Sequence, residues 1–165
     1  REVLLKRIEA GEDDGKIGAA LEQQIVACLV MTMTPNELEQ ISSAYEWYPV
    51  LAVWALADPH NRSQKRIEGL IEYRRANYDN AIELLSDAAQ YDPKLTEPWM
   101  VEFARRRAAT SSAYLAMALH RTGRTSEAKT ALQQARDLFE QRDRNYVGSI
   151  YTEIALQEAE QLLQP

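Results

Sequence analysis

The stretch YDNAIELLSDAAQYDP, residues 78–93, decides the fold of this chain. Two small residues, Ala81 and Ala88, stand on either side of a large apolar one, Leu85, at spacings that place all three on one face of an α-helix. Small side chains let a neighbouring helix approach closely, and the large one fills the gap between them. Pro93 cannot continue a helix. The stretch therefore predicts an α-helix that packs closely against a neighbouring helix and ends near Pro93.

A second copy of the pattern lies further along the chain. Ala128, Leu132 and Ala135 repeat the spacing, 47 residues after the first copy. The residues between the copies include one long apolar and basic stretch, 96–121. We interpret this stretch as a single lengthened helix rather than a missed repeat, with Gly123 as its stop.

Helical periodicity extends along the rest of the chain. Thr34, Pro35 and Glu37 have the order of a capping box with Pro in the first turn, which predicts a helix start there. The predicted helices cover 1–10, 16–33, Thr34 to near Pro49, 50–57, 63–75, 78–91, Thr96 to Arg121, Thr125 onward and 145–163. In the last of these helices we expect a buried face formed by Ile150, Tyr151, Ile154 and Leu162.

Composition sets the limits on function. The chain has 165 residues, is 45% hydrophobic and 27% charged, and carries a net charge of −6, which argues against nucleic-acid binding. The one cysteine, Cys28, excludes an internal disulfide and fits a reducing, cytoplasmic compartment. The most apolar run, residues 25–33, is too short to span a bilayer, so no membrane segment is predicted.

The two copies of the Ala–Leu–Ala pattern resemble those of tetratricopeptide (TPR) repeats, in which the pattern lies on the second helix of an antiparallel hairpin. The usual period of these repeats is about 34 residues. The order YRRANYDNAI at 73–82, YLAMALHRTG at 114–123 and EIALQEAEQLL at 153–163 is similar to the TPR regions at the C-termini of large bacterial serine/threonine kinases and WD40-repeat proteins. The resemblance implies an all-α, irregular right-handed solenoid with two hairpins over 63–142. Residues 1–60 would be a degenerate repeat or helical cap, and 145–163 a capping helix, all in one domain.

The resemblance also implies a function, that of an interaction module in a larger bacterial signalling protein. The chain begins at Arg1 rather than Met, which indicates a piece of such a protein. In the family the first helix of each hairpin lines a concave groove that binds a peptide or protein. When this family geometry is applied to the present sequence, the groove is lined by apolar, aromatic and basic residues, which suit a peptide with apolar anchors and acidic groups. The predicted groove residues are Arg66, Leu70, Tyr73, Arg74, Ala113, Met117, His120 and Arg121.

Alternatives stay open at this point. Leu70 and Met117 have a second interpretation, packing against a neighbouring helix. Self-association, as a homodimer or a structural scaffold, is the alternative function. The run Arg105-Arg106-Arg107 is a solvated face, or it pairs with acidic neighbours, or it is a patch that binds an acidic partner or a phosphate. No metal-ligand spacing and no catalytic motif accompanies His60, His120 or Cys28, so neither a cofactor nor an enzyme is predicted.

Overall fold

The computed structural model describes residues 25–31, 34–46, 62–92, 94–142 and 149–164, and every regular element among them is helical. A short helical stretch covers 25–30. It is followed by α1 (Pro35–Glu46), α2 (Arg62–Arg74), α3 (Tyr78–Ala88), α4 (Pro98–Arg121), α5 (Thr125–Glu140) and α6 (Ser149–Leu163). The predicted helices over 1–10 and 50–57 lie outside the described residues.

Helices α2 and α3 form the predicted antiparallel hairpin. The seam residues Ala81, Leu85 and Ala88 are all fully buried. Opposite them stands Gly69, and a Cβ built on Gly69 would lie only 2.7 Å from the Leu85 Cγ atom. The two helices therefore approach each other as closely as they do because residue 69 has no side chain.

The two hairpins turn in the same way. After α4, Gly123 has a φ of 80°, its N–H donates to the His120 carbonyl, and the Arg124 N–H donates to Leu119. This is the Schellman pattern, which satisfies the last carbonyls of a helix. After α2, Ala76 takes the same position with a φ of 62° and donates to Tyr73. The predicted end of α4 at Gly123 is confirmed.

Helices α2, α4 and α6 lie side by side and run in the same direction. The Arg74 guanidinium reaches the Tyr114 hydroxyl, whereas Arg66 shares a small cavity with Thr110, four residues earlier on α4. Thr110 in turn lies 2.9 Å from Thr152 on α6. Helix α3 packs against α2 and α4, and α5 packs against α4 and α6, so these two form a second layer.

Helix α4 is one continuous element of 24 residues, about 36 Å long, as the interpretation of the long stretch requires. It is nearly twice as long as α2, which has 13 residues. This extra length accounts for the 47-residue separation of the two Ala–Leu–Ala patterns. The first turn of α4 carries Trp99, which is 48% exposed.

The start of α1 is capped as predicted. The Glu37 carboxylate accepts the Thr34 N–H at 2.8 Å, and the Glu37 N–H donates to the Thr34 hydroxyl at 3.3 Å. These two bonds are the reciprocal pair of a capping box. Helix α1 lies beside the end of α2, where Glu39 forms an exposed ion pair, 3.2 Å long, with Arg75, the residue that follows α2.

Two local predictions are wrong. Helix α3 ends at Ala88 rather than at residue 91, because a tight turn from Gln90 N–H to the Asp87 carbonyl follows it. On α6, Ile150 is 54% exposed, whereas Ala155 and Ala159 are fully buried. The buried face of α6 is therefore built on small residues that allow close packing against α4.

Candidate functional site

The predicted groove residues come from one surface, the joint face of α2 and α4. The Tyr73 hydroxyl donates to the Met117 sulfur at 3.6 Å, and the Tyr73 ring meets the Tyr114 ring edge-on with centroids 5.2 Å apart. Burial first and the Glu158 carboxylate second raise the pKa of Tyr73, and the neighbouring Arg121 guanidinium opposes this shift. The sequence projection thus selects side chains that the tertiary structure does bring together.

This face is not open, which corrects the expectation of an exposed groove. Leu70 and Met117 are 0% exposed, Arg66 is 5% and Tyr73 is 7% exposed, and Ala113 is also buried. For Leu70 and Met117 the burial favours the alternative interpretation, packing against neighbouring helices.

The remaining predicted residues are more accessible. Arg74 and His120 are half-buried, and Arg121 is exposed. Arg121 is thus the most accessible of the predicted groove residues.

The chain itself covers part of the face. In the 25–31 segment, Val26, Leu29 and Val30 are 3%, 0% and 2% exposed and belong to the same apolar cluster as Leu70 and Met117. Val26 shares a cavity of only about 20 Å³ with residues from α2, α4 and α6. Because such a volume holds no more than about one water molecule, the segment fills this part of the face.

Arg74 fixes the end of that segment. Its Nε donates to the Leu29 carbonyl at 2.9 Å and its Nη2 to the Val30 carbonyl at 2.8 Å. These carbonyls end a helical stretch and have no acceptor role within it, so a guanidinium there acts as a C-terminal cap. The same Nη2 donates to the Tyr114 hydroxyl at 2.8 Å.

The opposite side of the guanidinium is held by α6. Arg74 Nη1 and Nη2 donate to the two carboxylate oxygens of Glu158 at 3.0 and 3.1 Å. Two parallel bonds of this kind fix the orientation of both groups. Arg74 therefore joins the 25–31 segment, α2, α4 and α6 in a single network of hydrogen bonds.

The positive charge of Arg74 is partly removed from water, and its neighbours in the network compensate for this loss. Burial works to lower the pKa of Arg74, but Tyr114 and Glu158 outweigh it, and the pKa stands above its usual value. Burial first and the Glu158 carboxylate second raise the pKa of Tyr114 far above that of a free phenol. The Tyr114 hydroxyl is therefore neutral. It accepts a hydrogen bond from Arg74 and can donate one to the Val30 carbonyl or to the Glu158 carboxylate.

The basic run on α4 is neither solvated nor an open patch. Arg106 and Arg107 are each 5% exposed, and Arg105 is half-buried. The nearly buried Glu102 lies 3.1 Å from Arg105 and 3.7 Å from Arg106. The predicted pairing with an acidic neighbour is therefore confirmed, whereas Arg106 and Arg107 lie inside the fold and form no solvated face.

Sequence reasoning missed three parts of the site: Glu158, Tyr114 and the carbonyl groups of the 25–31 segment. Glu158 comes 84 residues after Arg74, and no local pattern links them. Backbone carbonyls leave no trace in a sequence at all. The one signal in the sequence was the apolar run over 25–33, which predicts a buried helix segment but not the surface that buries it.

The comparisons leave the family open. The sequence matches no protein-family model and no characterised protein, and no solved structure matches the chain. Within the described ranges, no helix is long and apolar enough to cross a membrane. The same residues hold no group of three or more His, Cys, Asp or Glu side chains that could bind a metal.

Proposed function

We propose that the chain is a protein-interaction module, not an enzyme, and that it binds a helical segment of a partner on the joint face of α2, α4 and α6. The observation that carries the proposal is the Arg74 network. Arg74 captures the two final carbonyls of a helical stretch while Leu29 and Val26 of that stretch lie buried on the face. A surface that accommodates one short apolar helix in this way has the shape and the polar group that helix-in-groove recognition requires.

The arrangement of the hairpins supports a TPR-like solenoid as the fold behind this function. Ala81 and Ala128 begin equivalent buried seams, and Ala76 and Gly123 occupy equivalent turns, each pair 47 residues apart. Stacked hairpins of this kind present their first helices on one side. In this proposal α6 is the first helix of a third unit and closes the array.

The wider setting rests on the sequence resemblance. We place the module in the cytoplasm, as part of a larger bacterial signalling protein, with a protein or peptide as partner and no nucleic acid, membrane or cofactor involved. Arg74 already has a carboxylate in Glu158. Acidic groups of a partner would therefore meet the exposed Arg121 at the rim of the face.

The test is site-specific photo-crosslinking in host cells. A photoreactive residue replaces Arg121, at the rim, or Glu83, which is exposed on α3 in the other layer and serves as the matched control. We expect a protein adduct at position 121 and not at position 83. The adduct's partner is then purified and shown to bind the chain directly.

Two results would contradict this proposal. Equal adducts at both positions would place binding on another surface. An adduct at position 121 that contains only two copies of this chain, together with a dimer in sedimentation, would favour the alternative function of self-association.

A further inference from the structure

The 25–31 segment occupies the face in the manner of a bound ligand. It contributes apolar residues at positions 26, 29 and 30, which is the spacing of one helix face. Arg74 donates to the carbonyls of Leu29 and Val30, the last two residues of its helical part. Every residue of 25–31 is apolar, and the segment turns a buried stripe toward the face while Met31, just after the helical stretch, stays 54% exposed.

The polar contacts between the 25–31 segment and the face involve backbone carbonyls of the segment. Arg74 and Tyr114 reach backbone carbonyls of Leu29 and Val30, and no charged side chain of 25–31 takes part because the segment has none. Any short helix with apolar residues at the same spacing offers the same carbonyl groups at its end. The face consequently selects the apolar pattern and the helix end, not one particular sequence.

On this basis, and resting on the proposed function, we propose that the 25–31 segment is a built-in competitor for the module's ligand. The ligand is a short apolar helix with large or β-branched residues at spacings i, i+3 and i+4, whose final carbonyls Arg74 caps. Binding of that helix displaces residues 25–31. The apparent affinity of the module for the ligand is therefore its intrinsic affinity multiplied by the fraction of molecules in which the segment is undocked.

Cys28 provides a reporter in the unmodified protein. It is the only cysteine of the chain, it lies in the segment and it is half-buried. The probe is a synthetic peptide of residues 22–34 with Cys28→Ser, an amidated end and added N-terminal lysines for solubility. The control peptide carries Leu29→Asp as well. We expect the first peptide to raise the rate of Cys28 modification by a thiol reagent to a plateau, and the control peptide to leave the rate unchanged.

Variants of the full chain test the same point through affinity. Leu29→Asp places a charge on the buried stripe, and Met31→Asp places the same charge on the exposed residue that follows the helical stretch. If residues 25–31 are docked more than about nine-tenths of the time, Leu29→Asp should bind the labelled peptide at least about tenfold more tightly than wild type. Met31→Asp should bind as wild type does. Val26→Ala, a milder change, should give a smaller gain and covers the case in which Leu29→Asp loses helical content.

The outcomes separate the two proposals. Equal peptide affinity for wild type, Leu29→Asp and Val26→Ala, with an unchanged Cys28 rate, would overturn competition by the segment and leave the proposed function standing. Binding to none of the chains would overturn the ligand class named here, while the crosslinking at Arg121 decides the proposed function independently. A saturable rise in the Cys28 rate together with tighter binding by Leu29→Asp supports the inference.

Discussion

Replacing Gly69 by Ala tests how closely α2 and α3 pack, and its effect should reverse sign when Leu85 is shortened. In an ordinary helix interior, Gly→Ala stabilises by about 1 kcal/mol because it restricts the unfolded backbone. At Gly69 the new Cβ would lie 2.7 Å from Leu85 Cγ and 2.9 Å from its Cδ2. Leu85 is fully buried, and its Cγ is not the flexible tip of the side chain, so the strain is that of an overpacked core.

The magnitudes decide the sign. Overpacking costs about 1–3 kcal/mol, so with a central value near 2 kcal/mol Gly69→Ala should lower the free energy of unfolding by about 1 kcal/mol. Leu85→Ala removes both clashing atoms and costs about 2–5 kcal/mol by itself. In that background the nearest remaining contact is the Leu84 Cβ at 3.3 Å. There Gly69→Ala should stabilise by about 1 kcal/mol, a coupling of about 2 kcal/mol between the two sites.

The assay is urea unfolding followed by circular dichroism on the four proteins of the double-mutant cycle. Leu132→Ala is the matched control background, since Leu132 holds the position equivalent to Leu85 in the second hairpin and is also buried. Gly69→Ala should remain destabilising there. The reasoning is refuted if Gly69→Ala stabilises the wild-type chain, or if it destabilises the Leu85→Ala protein as much as the wild type.

Two further predictions concern helix ends. Ala76 and Gly123 hold the same left-handed turn position, so Ala76→Gly should raise the free energy of unfolding by about 1 kcal/mol and Gly123→Ala should lower it by a similar amount, as measured by urea unfolding. At the start of α1, the Thr34 backbone N–H and then its hydroxyl lower the pKa of Glu37. A lowered folded-state pKa gives stability above the ordinary carboxyl pKa that is lost as the pH falls through the folded value. Unfolding stability measured from about pH 5 to about pH 3 should therefore fall more steeply for wild type than for Glu37→Gln; equal slopes would contradict the capping role.

The local features of the fold could be predicted from the sequence. Ala81, Leu85 and Ala88 indicated a close helix seam, Thr34 and Glu37 a capping box, and Gly123 a helix end, and the structure confirms each. These signals work because a helix cap or an apolar stripe depends on residues within one or two turns of each other. Ile150 shows the limit, since periodicity marks apolar residues but not which of them a neighbour covers.

The sequence by itself determined that the described residues form helices and where the hairpins turn, and its resemblance to TPR repeats led to the expectation that Tyr73 and Met117 share a face. Only the tertiary structure decided that this face is filled, because that depends on Arg74 meeting the carbonyls of Leu29 and Val30 and the carboxylate of Glu158, 45, 44 and 84 residues away in the chain. Contacts at such separations arise from the packing of whole helices. Backbone carbonyls, moreover, are the same for every residue, so the sequence does not indicate which of them Arg74 contacts.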